Sequence, residues 1–150
     1  MINPVLHHIL SIMGETNNRI LPVGIQSFEK IRKEGLLYVD KTEIIWNLVN
    51  SNKTYNYLSR PRRFGKSLLV DTLQAYFEGR KELFEGLKIM DLEKEWVKRP
   101  VVRLDMSRAG STAHELNAYL NLAFKEYEQK YGIEASASDS LSNRFDIIIQ

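Results

Sequence analysis

The sequence predicts an α/β fold in which helices flank a parallel sheet, and the sheet reads as incomplete. Three observations predict it. Tyr55, Tyr57 and Leu58 form a short strand-like run that breaks at Ser59 and Pro61, and Leu68, Leu69, Leu73 and Phe77 then recur at helical spacing. A second run, PVVRLD over 100–105, is entered by a proline and closed by a polar stretch. Behind it Leu116, Tyr119, Leu120, Ala123, Phe124 and Tyr127 repeat at helical spacing. Strand, loop, helix, strand and helix in that order begin a doubly wound sheet whose carboxyl edge receives the ligand.

Composition sets the frame. The 150 residues suit one domain, and 43% hydrophobic with 27% charged residues is ordinary for a folded globular chain. A net charge of +2 is too small to imply a nucleic-acid or membrane partner by itself. The absence of cysteine excludes disulfides and thiolate metal sites. No apolar run approaches membrane-spanning length, and the segment VLHHIL lacks the basic start of a signal peptide, so the expected location is the cytoplasm.

In chain order, residues 1–18 read as an N-terminal extension and 19–150 as the main domain, with a short helix expected over 4–13. His7 and His8 are adjacent, so they face different sides of a helix and do not chelate one metal together. Pro22 and Gly24 punctuate a turning segment, and a short helix over 27–34 stops at Gly35. Residues 36–39 read as a brief strand. At Asp40 a helix is expected to start, with Glu43 completing a capping box and Val39 and Ile44 placed as a hydrophobic staple. It is expected to bury Ile44, Ile45, Leu48 and Val49. Lys41 and Thr42 fall in its first turn, either facing a nucleotide or sitting there as ordinary first-turn residues.

The helix after the first strand is expected over 67–78, stopped by Gly79; residues 81–86 offer a further turn with Leu83 and Phe84 facing in, and Trp96 is a core or lid aromatic. Thr112 and Glu115 form a capping box for the long helix that ends before Gly132. Residues 134–143 are small and polar and read as a loop, followed by the apolar run FDIIIQ.

The chemistry lies between Leu58 and Leu68. RPRRFGKS, residues 60–67, matches the phosphate-binding pattern of four variable residues followed by Gly-Lys-Ser, except that Arg60 stands where the first glycine belongs. Such a loop holds phosphates with several backbone N–H groups aimed into one concavity at the positive end of a helix dipole. The donors expected here are the amides of Arg63, Phe64, Gly65, Lys66, Ser67 and Leu68. Gly65 permits close approach, Lys66 is the catalytic cation for the terminal phosphates, and the Ser67 hydroxyl is the Mg²⁺ ligand. The expected cofactors are therefore ATP and Mg²⁺, on a P-loop NTPase-type sheet. Arg62 and Arg63 read equally as cations at the mouth or as a solvated basic turn. Asp105 closes an apolar strand and invites the metal-orienting role, but it lies on the strand immediately after the loop's helix and is followed by Met106, not a glutamate; a capping role is preferred.

LPVGIQSFEKIRKEGLLYVDKTEIIWNLV (21–49), YLSRPRRFGKSLLVDTLQAYFEGRKELFEGL (57–87) and RPVVRLDMS (99–107) resemble the opening of the bacterial AAA-ATPase-like family. The blocks YVDKT and RPRRFGKSL carry most of that resemblance. It implies that arginine at the first glycine position is the family's own habit and that Gly65, Lys66 and Ser67 bind phosphate and Mg²⁺. The family's metal-orienting acid lies in a later block, Asp-Glu-Tyr-Asp, and its members commonly carry a nuclease-like domain of the PD-(D/E)XK type; both are absent from these 150 residues. Nucleotide binding with little or no hydrolysis is the expectation, within a longer protein or a shortened copy. Two alternatives stand beside it: a phosphate-backbone binder using Arg60, Arg62, Arg63 and Lys66 on nucleic acid, which the balanced charge elsewhere does not favour, and a nucleotide-free domain that self-associates or meets a protein partner through the incomplete sheet.

Overall fold

The computed structural model describes residues 20–59, 61–134 and 139–149. The expectations for residues 1–18, His7, His8 and Arg60 lie outside them. The chain forms two compact units that divide between Val97 and Lys98.

The first unit is built on helices. Ser27 caps α1 (Phe28–Lys33), its hydroxyl accepting from Lys30 N at 3.3 Å, and Phe28 and Ile31 point into the core. α2 spans Thr42–Val49, α3 spans Lys66–Phe77, a 3₁₀ turn spans Lys81–Phe84 and a single turn, α4, spans Ile89–Leu92. Phe28, Ile45, Ala75, Tyr76, Leu83, Phe84, Leu87 and Ile89 form one buried cluster. Its centre is aromatic: Phe84 lies 4.9 Å from Phe28 and 5.1 Å from Trp96, centroid to centroid, at tilted angles that suit ring quadrupoles.

Polar ties fix the helices on that cluster. Asp71 of α3 accepts from the Phe28 amide at 2.7 Å. Arg32 donates to the carbonyls of Leu83 and Glu85, satisfying acceptors in the turn after α3. Glu29 receives both Arg80, at 2.7 and 2.9 Å, and Lys33 at 2.6 Å. The Arg80 hydrogen bonds, reinforced by Lys33, lower its carboxyl from 4.5 to about 2.

The second unit holds α5 (Ala113–Tyr131) and α6 (Leu141–Ile149). Thr112 and Glu115 make the reciprocal capping box at the start of α5, and Gly132 closes it. Gly110 (φ +72°) packs against this box; a Cβ there would stand 2.5 Å from the Glu115 Cβ. Arg144 of α6 forks onto Glu128 at 2.7 and 2.8 Å and reaches Asn121 Oδ1 at 2.7 Å, while Phe145 stacks on Phe124.

The parallel sheet is not present: the described residues contain no strand. Each expected strand meets its backbone needs in another way. Leu37 N donates to Ile20 O. Residues 55–58 lie in water, with Tyr55 and Tyr57 91% and 94% exposed. In 101–105 tyrosine hydroxyls of α5 take the place of a neighbouring strand: Tyr131 Oη accepts from Val101 N and donates to Val101 O, Tyr127 does the same at Arg103, and Tyr119 accepts from Asp105 N, all at 2.8–2.9 Å. A short apolar run reports a tendency to extend, but only a paired neighbour makes it a strand. With no sheet, no described sheet edge exists for self-association.

Other boundaries shift. α2 begins at Thr42, not Asp40; its N-cap is Lys41, and Asp40 takes the Thr42 amide instead of forming a box with Glu43. Val39 and Ile44 are exposed, so the staple and the burial of Ile44 do not form. The apolar run near the C-terminus is helical from Leu141, which places Ile148 in a buried position. No described helix is long and apolar enough to cross a membrane.

Two outcomes follow for the first unit. Thr42 is fully buried, and its Oγ1 accepts from the Ile89 amide at 3.1 Å; Thr42→Val strands that amide and should lower unfolding free energy by about 1–3 kcal/mol. A urea midpoint shift equivalent to less than about 0.3 kcal/mol, well under that range, would show the bond is dispensable. Because the Glu29 carboxyl is depressed on folding, its contribution is fully present above pH 4.5 and disappears as pH falls toward about 2. Glu29→Gln should flatten that part of the acid stability profile, and an unchanged profile would remove Glu29 from the account.

Candidate functional site

The loop before α3 takes its shape from two left-handed residues. Arg63 has φ +66° and Gly65, the N-cap residue of α3, φ +73°, with Phe64 between them. An L-residue such as arginine holds this conformation at a cost of about 1–2 kcal/mol, so the surrounding turn imposes it. Left-handed residues set among right-handed ones turn successive amides into one concavity. The N-cap of α3, Gly65, has no side chain of its own to cap the helix, and the hydrogen-bond ladder opens with Leu69 N to Gly65 O. The amides of Lys66, Ser67 and Leu68 therefore precede the ladder, at the positive end of a 12-residue helix. A Cβ at Gly65 would meet nothing within 4 Å, so the space above the turn is open.

Of the residues expected to act, Arg63, Phe64, Gly65, Lys66 and Ser67 are all exposed, and Leu68 is half-buried. The donor set of first-turn amides, an ammonium and a hydroxyl fits a polyphosphate with its Mg²⁺. Arg62 is exposed as well. Among the described residues no group of three or more His, Asp or Glu side chains converges as a metal site. Asp105 acts as a cap: its Oδ1 accepts from Ser107 Oγ at 2.6 Å and Ser107 N at 3.1 Å, and these bonds lower its carboxyl below the ordinary value.

Beside the loop lies a cavity of about 410 Å³. Phe64, Gly65 and Leu68 form the side next to the loop; Leu21, Pro22, Val39 and Ile44 supply aliphatic wall, and Lys41 reaches it from the start of α2. Thr42 does not line it. The Asp40 carboxylate positions this wall, Oδ1 taking Thr42 N and Oγ1 at 2.8 and 2.7 Å and Oδ2 taking Lys88 N at 2.6 Å. Burial alone would raise Asp40; the three hydrogen bonds, with the nearby Arg32 charge, hold it below the usual carboxylate range. The sequence pointed to the loop and to Lys41, but the walls at Leu21, Pro22, Val39 and Ile44 come from segments that share no motif.

A family profile described as "Predicted AAA-ATPase" matches residues 22–150. The chain belongs to this AAA-ATPase-like family. An uncharacterized protein in the vnfD 5′ region of Azotobacter chroococcum mcd 1 is 38% identical over 133 residues, which is 87% of this chain and 25% of the relative. The chain thus spans about a quarter of the length of the curated relative it matches. No solved structure matches it. At the level of the family, membership supports nucleotide binding.

Within this AAA-ATPase-like chain Gly65 is the left-handed glycine of the loop, at φ +73°. Gly65→Ala introduces no clash, so its effect is conformational: stability should fall by about 1 kcal/mol, read from denaturant unfolding. Gly110→Ala, which adds the contact with Glu115, should cost more. Equal losses at the two positions would contradict the assignment.

Proposed function

We propose that this chain binds ATP with Mg²⁺ at the turn before α3, the amides of Arg63, Phe64, Gly65, Lys66, Ser67 and Leu68 surrounding the phosphates. The observation that carries the reading is the pair of left-handed residues, Arg63 and Gly65, immediately before the start of α3, which bears Lys66 and Ser67. Backbone N–H groups and the helix dipole favour the negative charge, and Gly65 leaves the approach clear. Lys66 is the cation for the terminal phosphates and Ser67 the metal ligand. The bound Mg²⁺ supplies neutralisation of phosphate charge.

Hydrolysis requires more than binding. A water must be positioned and the metal's waters oriented by a second acid, and Asp105, the acid the sequence offers for it, is engaged with Ser107. We therefore assign these 150 residues binding without efficient turnover. ATP turnover coupled to conformational change is proposed for a protein of the relative's length.

Thermal unfolding with and without Mg-ATP tests the reading. At a ligand concentration about a hundred times Kd the stabilisation should be about 2.7 kcal/mol in the parent chain. Lys66→Ala should lose most of it, and Asp105→Asn should keep it. A shift that is equal in the parent and Lys66→Ala, or absent from both, would end the ATP assignment.

A further inference from the structure

We propose that the exposed stretch between α2 and α3 binds single-stranded nucleic acid, with Tyr55 and Tyr57 stacking on its bases and the side chains of Lys53, Arg62 and Arg63 neutralising its phosphates. These side chains have no role in the ATP reading, and the proposal stands or falls independently of it. Three observations carry it.

The first is the segregation of charge. Between Glu43 and Asp71 the chain has no acidic residue, yet it carries Lys53, Arg60, Arg62, Arg63 and Lys66 there. Since the whole chain is only +2, the remainder is net negative. The small total therefore conceals one concentrated basic stretch, and a polyanion responds to the local field. Lys53, Arg62 and Arg63 are exposed, and none of them pairs with a carboxylate among the described residues.

The second is the contrast among the tyrosines. Five of the seven are engaged: Tyr38 meets Phe28 edge-on, Tyr76 donates to Glu93, and Tyr119, Tyr127 and Tyr131 bond the backbone of 101–105. The side chains of Tyr55 and Tyr57 have no ring, cation or hydrogen-bond partner among the described residues, and the two residues are 91% and 94% exposed. A ring left wholly in water is surface that a base can cover, and every base has a face to offer it. Two residues of chain span at most about 7 Å, so one strand can set neighbouring bases on the two rings.

The third is the backbone that carries them. Residues 52–59 are neither helix nor strand, and Asn52, at φ +52°, turns the chain as it leaves α2. A basic, aromatic segment that binds lipid lays an amphipathic helix on the surface, which this segment does not form. A duplex stacks its bases on one another and leaves no face for the rings. Exposed rings interleaved with cations suit a single strand, whose bases are splayed.

Fluorescence anisotropy of the whole chain with labelled oligo-dT or oligo-U of about 12 nucleotides tests this, with a duplex of the same length beside it. Tyr55→Ala and Tyr57→Ala should each weaken single-strand binding by about fivefold or more and leave duplex binding unchanged. Tyr55→Phe and Tyr57→Phe, which keep the ring face, should stay within about twofold of the parent. The slope of log affinity against log salt should be about −2 for three phosphate contacts and fall to about −0.7 when Lys53→Gln and Arg62→Gln are combined. Full affinity in both alanine variants overturns the proposal; if Lys66→Ala alone then abolishes binding, the oligonucleotide sits on the phosphate loop instead. Tighter binding to phosphatidylserine vesicles than to the oligonucleotide, lost in the same alanine variants, assigns the rings to lipid and overturns it. A dimer by light scattering that those variants return to monomer shows that a second copy covers the rings, and overturns it too. Absence of oligonucleotide binding while Mg-ATP still stabilises the chain overturns it and leaves the ATP site standing.

Discussion

The Asp40 carboxylate is the constraint on which the geometry around the loop depends. One oxygen takes the amide and hydroxyl of Thr42, fixing the start of α2; the other takes the Lys88 amide, tying that start to the segment that opens α4. Thr42, held this way and fully buried, accepts from the Ile89 amide and closes the link. Three amides, those of Thr42, Lys88 and Ile89, thus find their acceptors in the Asp40 carboxylate and the buried Thr42 hydroxyl. The consequence is positional: Val39, Lys41 and Ile44 stand at one side of the cavity in fixed relation to the turn at Gly65.

The opposite side is fixed by packing. α3 is anchored through Asp71 to the first amide of α1, and Ala75 and Tyr76 sit in the aromatic cluster with Phe28 and Phe84. Tyr76 donates to Glu93, whose other oxygen accepts the amides of Lys94 and Glu95, and Trp96 closes over Phe84. A helix held at its middle and C-terminal end can present to solvent an N-terminus whose N-cap is a glycine. Such a terminus is a poor way to end a helix and a good way to receive an anion.

Helix signals in the sequence were those with local chemistry behind them. Ser27 before Phe28 and Gly35 after Glu34 bracket α1, Thr112 with Glu115 and then Gly132 bracket α5, and the leucine spacing after Ser67 marks α3. Strand signals were different, because pairing is decided by distant residues. Val101, Arg103 and Asp105 meet tyrosine hydroxyls of α5 where a sheet was expected, and nothing local to PVVRLD encodes that. The segment over 145–149 has β-branched composition, yet Arg144 on Glu128 and Phe145 on Phe124 hold it as a helix, a tertiary override of local preference. At the site, residues 63–68 were legible because a phosphate loop has a motif. The cavity wall was not, because an apolar surface assembled from Leu21, Val39 and Ile44 has none.

The functional claim reduces to whether backbone amides, and not the arginine side chains around them, hold a polyphosphate. Amide ¹H–¹⁵N chemical shifts of the chain, recorded as Mg-ATP is added, test this most directly. The largest changes should fall on Arg63, Phe64, Gly65, Lys66, Ser67 and Leu68 and saturate together. Changes confined to arginine side-chain resonances, with those six amides unmoved, would contradict the account.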